Sequence, residues 1–302
     1  MVDYSIVVPV YNSENTLDEL FRRIKQTFHS MGKSFEVIFV DDFSEDKSWK
    51  KLKELKRENP QEIKAIKLSK NFGQHSAILC GLNFVENSVI TLDDDLQIPP
   101  EEIPKLIETL NESDADVVYG IFEQKKHSFF RNIGHHLIER IFKEFANTSG
   151  KGSSFKLIDF SIVEKIRIQN QQFIYIDEIL SWFTNNIDYV TVKHLPREGT
   201  SSYSTAKLFL MTFNLLINYT VFPLRMMTYF GLFVSIISAC FGLYFLFMKL
   251  LFGAEIGFTA LIVAIFFSTS LVMFCMGIIG EYISRLYINQ SNRPTFLIKT
   301  VI

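Results

Sequence analysis

The sequence predicts an open, mainly parallel α/β sheet joined to an apolar helical hairpin. Three observations predict it. Short apolar runs alternate with amphipathic segments from Tyr4 to Gly120. Polar residues gather just past the ends of those runs. Two later stretches, Met226 to Met248 and Phe258 to Gly280, carry no charged residue. The 302 residues can bury a substantial core, and a net charge of −2 offers no basic field to nucleic acid.

The elements follow in order. Tyr4 to Val10 is a strand. Leu17, Leu20, Ile24 and Phe28 then fall at helical spacing, with Ser13 as the expected N-cap. Phe35 to Val40 is a second strand, ending at Asp41 and Asp42. A charged helix with a solvated face covers 45–58. Ile63 to Leu68 is a third strand, ending near Lys70 and Asn71, and a helix runs over 74–85. Val89 to Leu92 is a fourth strand, and it stops at Asp93, Asp94 and Asp95. Prolines 99 and 100 open the next helix, as proline suits a first turn. A fifth strand covers 115–120. Such alternation implies parallel strands, with ligands bound outside their carboxyl ends. Tyr11, Asn12, Asp41, Asp42, Lys70, Asn71 and the three aspartates all fall on that rim. There is no G-x-G-x-x-G turn and no P-loop.

Three adjacent carboxylates at a strand end suit a divalent cation, Mg²⁺ or Mn²⁺, which takes hard oxygen ligands and leaves places for substrate phosphates. Side chains alternate along an extended segment. Asp93 and Asp95 therefore form the expected metal pair, with Gln97 on the same side, and Asp94 points away. His75 is a candidate support for the loop that precedes it. Asp177 and Glu178 suit a helix N-terminus or a polar contact to a substrate. His135 and His136 suit a surface or partner contact. Cys80, Cys240 and Cys275 match no zinc or disulfide spacing and are expected as reduced thiols.

Each uncharged stretch, as helix, is about 35 Å long and can cross a hydrocarbon core of about 30 Å. Arg225 precedes the first, and Arg285, Arg293 and Lys299 follow the second. Positive-inside bias puts both ends of the hairpin in the cytosol. The expected organisation is a cytosolic catalytic domain over 1–203 and an interfacial helix over 204–223. A transmembrane hairpin over 224–288, with spans near 226–248 and 258–280, and a cytosolic tail over 289–302 complete it.

An ordered set of segments carries a resemblance: "SIVVPVYNSENTL", "FEVIFVDDFSED", "LSKNFGQHSAILCGL", "VITLDDDLQIPPEEIP", "FFRNIG", "GSSFKLID", "REGTSSYS", "PLRM" and "GIIGEYISRLY". The chain resembles a family 2 glycosyltransferase with a GT-A fold, of the membrane-anchored polyprenyl-phosphate type. It is most similar to bacterial undecaprenyl-phosphate transferases for glucose or formamido-arabinose. Dolichol-phosphate mannosyltransferases, which use GDP-mannose, are more distant.

The resemblance implies inverting transfer from a nucleotide sugar, such as UDP-glucose, to polyprenyl phosphate at the bacterial inner membrane. It places Pro9, Tyr11, Glu14 and Asp42, with Asp41 adjacent, at the donor's base and ribose. Lys70 and Asp94 join them as donor-site candidates. Asp93, Asp95 and Gln97 fall at the metal and diphosphate, and Arg131 and Arg197 near the acceptor phosphate. It also implies membrane-lipid contact and a homo-oligomer, a tetramer in the family. An inactive membrane adaptor and a processive synthase are the rivals; the synthases' Q-x-x-R-W signature is absent. Two departures stand out. Ser153-Ser154-Phe155 replaces the family's frequent Gly-Asp-Phe, and Ser201-Ser202-Tyr203 replaces its Ser-Lys-Tyr.

Overall fold

The computed structural model describes residues 2–122, 153–167, 175–195, 222–252, 257–290 and 294–302. The strands β1 (Tyr4–Val10), β2 (Phe35–Asp41), β3 (Ile63–Leu68), β4 (Val89–Thr91), β5 (Val117–Ile121), β6 (Lys156–Ile158), β7 (Ile187–Thr191) and β8 (Ile298–Val301) form one sheet. Their order is β7-β5-β6-β4-β1-β2-β3-β8. Strand β1 is parallel to β2 and β4, β2 to β3, and β5 to β7. Strand β6 runs antiparallel between β4 and β5, and β8 runs antiparallel along β3.

Helices cover both faces: α1 (Leu17–Met31), α2 (Ser48–Glu58), α3 (Gln74–Leu82), α4 (Ile103–Glu112), α5 (Phe160–Arg167) and α6 (Ile176–Phe183). Period-2 alternation splits each central strand between two cores. Ile6, Val8 and Phe39 face Leu20, Ile24 and Leu106 of α1 and α4. Val7, Ile38 and Val40 face Leu79, Val163 and Leu180 of α3, α5 and α6. Each such side chain, fully buried, contributes about 1.5–3 kcal/mol. Helix α3 lies especially close to the sheet, because a Cβ on Gly81 would come within 2.5 Å of Val7 Cγ1.

Two local expectations differ. The N-cap of α1 is Thr16, not Ser13, and Ser13 Oγ turns to the Tyr11 carbonyl and to Asp94 instead. Part of the expected tail, Ile298–Val301, is strand β8. Its pairing with β3 uses backbone groups, which sequence patterning does not report.

The chain divides into two units, Met1–Ser201 with Asn292–Ile302, and Ser202–Ser291. The second contains α7 (Phe222–Phe252) and α8 (Phe258–Gln290). Pro223 sits in the first turn of α7, where its missing N–H breaks no bond. Among the described residues one helical window, Phe267–Ser284, meets the length and apolarity needed to cross a membrane, with mean hydropathy 1.4. The expected interfacial segment lies outside the described residues, except for Phe222 and Pro223.

Candidate active site

The turns that follow β1, β2, β3 and β4 build the rim. Three carry a non-glycine residue in the left-handed region: Asn12 (φ 55°), Phe43 (φ 63°) and Leu96 (φ 59°). Asparagine tolerates this conformation, but phenylalanine and leucine adopt it at a cost of about 1–3 kcal/mol each. Hydrogen bonds between the turns hold them there.

Asp94 is the tie between the first and last of these turns. Its Oδ2 accepts the Tyr11 N–H at 3.0 Å and the Ser13 hydroxyl, and its carbonyl accepts Thr16 Oγ1 at 2.6 Å. Burial pushes its pKa to about 6, opposed by the bonds from Ser13 and Tyr11. It thus turns away from its neighbours, as alternation predicts. Asp93 faces α3 and β6. Its Oδ1 accepts Gln74 Nε2 at 2.6 Å and its Oδ2 accepts Ser154 Oγ at 2.5 Å. Burial raises its pKa, the Ser154 bond opposes that, and the Asp95 charge adds to it. Asp95 Oδ1 accepts the Gln97 N–H at 3.1 Å. The Gln97 amide oxygen lies 3.1 Å from His194 Nε2.

The remaining rim residues are mostly occupied with one another. Asp41 is fully buried. Its Oδ1 accepts the Ser44 N–H at 3.2 Å, and its Oδ2 forms an ion pair with Lys67 Nζ at 3.1 Å, outside hydrogen-bond alignment. Asp42 accepts the N–H groups of Phe72 and Gly73, both at 2.7 Å. Burial raises its pKa, and those two bonds oppose the rise. Glu14 Oε2 accepts the Lys47 N–H at 2.9 Å. Pro9 is buried opposite Val40. Tyr11 is exposed, and Lys70 is exposed above the Phe72 ring, 4.9 Å from its centroid. Arg131, Arg197, His135 and His136 lie outside the described residues.

Sequence reasoning missed a buried polar cluster beside Asp93. Lys156, only 1% exposed, pairs with Asp177 at the start of α6. Tyr119 Oη donates to the same Asp177 oxygen at 2.9 Å, and Lys156 Nζ lies 5.2 Å from the Tyr119 ring centroid. His75, at the start of α3, packs edge-on against Tyr175, and burial lowers its pKa. Ser154 was visible only as a departure from the family pattern. Its role comes from register: Thr91 pairs with Lys156, so two residues further Asp93 stands opposite Ser154.

The fit of a cation can be judged from these donors. Among the described residues no three His, Cys, Asp or Glu side chains form a ready-made cage. Mg²⁺ and Mn²⁺ need none when substrate phosphates supply oxygens beside one or two carboxylates. Each Asp93 oxygen accepts one neutral donor and keeps a second lone pair. Asp93 and Asp95 therefore fit a cation bound together with a diphosphate.

An α/β sheet with acidic side chains at the carboxyl ends of its strands is the architecture of a GT-A fold. The model for Glycosyl transferase family 2 matches residues 5–167, and the chain belongs to that family. It is similar along 99% of its length to an undecaprenyl-phosphate 4-deoxy-4-formamido-L-arabinose transferase of Edwardsiella ictaluri, 34% identical, with 94% of that protein covered. The protein of the same name from Klebsiella pneumoniae (strain 342) is 32% identical, over 99% of this chain and 93% of that one. Among solved structures, glucosyl-3-phosphoglycerate synthase from Mycobacterium tuberculosis, in complex with Mn²⁺, UDP and glucosyl-3-phosphoglycerate, has a TM-score of 0.50. Identity is 15%, covering 72% of this chain and 78% of that one. Mannosyl-3-phosphoglycerate synthase from Rubrobacter xylanophilus also has a TM-score of 0.50, at 13% identity over 71% of this chain and 72% of that one. These structures support the fold alone.

Proposed function

We propose that the protein transfers a sugar from a UDP-sugar to polyprenyl phosphate at a membrane, with inversion at the anomeric carbon. The observation that carries this reading is the similarity to undecaprenyl-phosphate transferases, which spans the rim and both apolar helices. The donor is a UDP-linked pyranose, glucose or 4-deoxy-4-formamido-arabinose.

Asp93 and Asp95, with Gln97, are the residues that would hold a cation beside the donor's diphosphate. A bound Mg²⁺ or Mn²⁺ supplies Lewis-acid stabilisation of the charge that develops as UDP leaves. Gln74 and Ser154 orient Asp93, and Asp94 fixes the Tyr11 turn beside it. The acceptor needs no strong base. A phosphate monoester, with a second pKa near 6, is already largely dianionic at pH 7. A hydroxyl at Ser154 in place of an acid is compatible with that chemistry. Arg131 and Arg197 are assigned to the acceptor phosphate, where an arginine fork offsets repulsion from the donor.

A multi-pass membrane protein is part of the same reading. Strand β8 follows α8 in the chain yet pairs with β3. An even number of crossings must therefore separate β7 from β8. If α8 crosses, so does one earlier segment, and α7 is the candidate. The orientation with the sheet in the cytosol rests on the flanking positive charges.

Purified protein is incubated with Mn²⁺, several nucleotide sugars and undecaprenyl phosphate, and the lipid products are weighed. A UDP-sugar should yield the lipid-phosphate sugar. Asp93→Ala and Asp95→Ala should each lower turnover by at least about a hundredfold, in the range found for lost electrostatic stabilisation. Asp94→Ala should cost less. Equal small losses at all three would remove the metal assignment. Product from GDP-mannose alone would move the protein to the dolichol-type reading, and no product from any donor would favour an inactive adaptor.

A further inference from the structure

We infer that Phe43 forms a wall of the donor's nucleobase subsite, its ring stacking on the base. The inference rests on the donor-site reading above and adds a residue that the resemblance did not assign. Phe43 follows Asp42 in the turn after β2, at φ 63°.

Three rim residues hold left-handed backbone, and two of them have an offset for it. Asn12 tolerates the conformation, and its Oδ1 accepts the Glu45 N–H at 2.9 Å. Leu96 packs against the core of α1 and α4. Phe43 belongs to neither core, and 39% of it is exposed. Glycine or asparagine would take the same turn at less cost. Strain that packing does not offset, kept in place by the surrounding structure, marks a functional site.

The surrounding structure does keep Phe43 in place. Before it, the Asp42 N–H donates to the Val10 carbonyl at 2.9 Å. After it, the Ser44 N–H donates to Asp41 Oδ1 at 3.2 Å, and Ser44 Oγ accepts the Asn12 N–H at 3.0 Å. These bonds tie the Phe43 turn to the Tyr11–Asn12 turn. Lys67 Nζ, paired with Asp41 at 3.1 Å, lies over the Phe43 ring, 5.9 Å from its centroid. It lies 5.5 Å from the Trp49 centroid as well. A cation held there attracts the face of the ring and limits its rotation.

Two exposed aromatic side chains, Tyr11 and Phe43, thus stand in adjacent, hydrogen-bonded turns. Their place in the sheet fits a base. The order β4-β1-β2 puts the end of β2 two strand spacings, about 10 Å, from the aspartates after β4. A diphosphate beside those aspartates reaches that far through its ribose. Phenylalanine has no hydrogen-bonding group, so what it offers a nucleotide is a face for the flat base. The rival role for an exposed phenylalanine is contact with a second copy of the chain.

The experiment uses the full chain in detergent, as wild type, Phe43→Asn and Phe43→Tyr. Calorimetry measures the affinity for UDP, dihydro-UDP and inorganic diphosphate, each with Mn²⁺. Melting temperature and particle mass are measured beside it. Phe43→Asn should weaken UDP about tenfold, within the range for one lost base–aromatic stack. Dihydro-UDP, whose reduced base is puckered and stacks poorly, should lose less than about threefold, and diphosphate, which has no base, less than about twofold. Phe43→Tyr keeps the ring and should stay within about twofold of wild type for every ligand. Asparagine suits the left-handed turn, so the melting temperature of Phe43→Asn should match or exceed that of wild type.

Unchanged UDP affinity in Phe43→Asn would overturn the inference while the donor-site reading stands. An equal loss of UDP and diphosphate would also overturn it, because the ring would then act on the whole rim. A lower melting temperature, or a Phe43→Asn chain that does not fold, would make the ring structural and reject it. A changed particle mass with UDP affinity intact would give Phe43 to the second copy. A wild-type protein that binds neither UDP nor diphosphate with Mn²⁺ overturns the donor-site reading itself, an outcome visible before any variant is made.

Discussion

In the sheet unit Phe28, Phe39 and Phe155 are fully buried, whereas in the helical unit Phe233, Phe267 and Phe274 are 61, 62 and 63% exposed. The same residue type meets two environments. Burying a phenylalanine in a water-solvated unit contributes about 1.5–3 kcal/mol. An outward phenylalanine forgoes that in water and loses nothing in hydrocarbon. Polar groups reverse the pattern. The sheet unit buries Asp41, Asp42 and Lys156, each beside a partner of opposite charge or a backbone donor. Uncharged stretches dominate α7 and α8. The sheet unit is organised by water's exclusion. The helical unit is suited to a solvent that accepts its apolar surface.

A large effect that would sharpen this contrast is at Lys156. Lys156→Met leaves the partly buried Asp177 without its cation, and the sheet unit should lose up to about 3 kcal/mol, read as a lower midpoint in denaturant. Lys156→Met with Asp177→Leu should recover most of that loss, because a buried pair replaced by apolar groups is often neutral. If the single change costs nothing, the pair is not the buried device described here. A comparable effect is expected from Phe274→Lys near the middle of α8. It should leave the sheet unit's unfolding unchanged and cost about 2.5–3.5 kcal/mol of insertion, read by membrane fractionation. Unchanged insertion would break the comparison on the helical side.

The smallest effect comes from one substitution made in both units. Gly81→Ala forces a Cβ to 2.5 Å from Val7 Cγ1 and should destabilise the sheet unit by about 1–3 kcal/mol. Gly277→Ala meets nothing within 4 Å, and alanine is the better helix former by about 1 kcal/mol or less. Thermal melts of the two variants should shift in opposite directions.

The sequence made the first five strands of the sheet legible. Apolar runs separated by amphipathic helices report β1 to β5 and α1 to α4 directly, because period 2 and period 3.6 differ over these lengths. It also placed Asp94 away from Asp93, and the two do bond to different partners, although Asp94 and Asp95 lie in a turn rather than in extended chain. Strands β6 and β8 were not legible. Both pair antiparallel with strands far away in the chain, and no local pattern reports such partners. Lys156 looks like a surface residue until β4 and β5 close over it from both sides. Ser13 carries a capping residue's chemistry, but Asp94 takes its hydroxyl, and no local rule foresees a partner so far along the chain. Gln74 and Ser154 share that difficulty. Each is an ordinary polar residue until the fold carries it to Asp93.

Strand β8 has a consequence for how the protein is made. Seven strands of the sheet precede α7 in the chain and the eighth follows α8. During synthesis β3 emerges early, with one edge bare of its partner. That edge must wait while both apolar helices leave the ribosome. Exposed strand edges invite pairing with other chains. The nascent protein therefore passes through a vulnerable interval that lasts as long as its apolar helices take to be made. On the membrane reading proposed above, a chain threaded with the wrong number of crossings could not bring β8 back to β3. On that reading the pairing of β8 with β3 couples a finished sheet to a correctly threaded anchor.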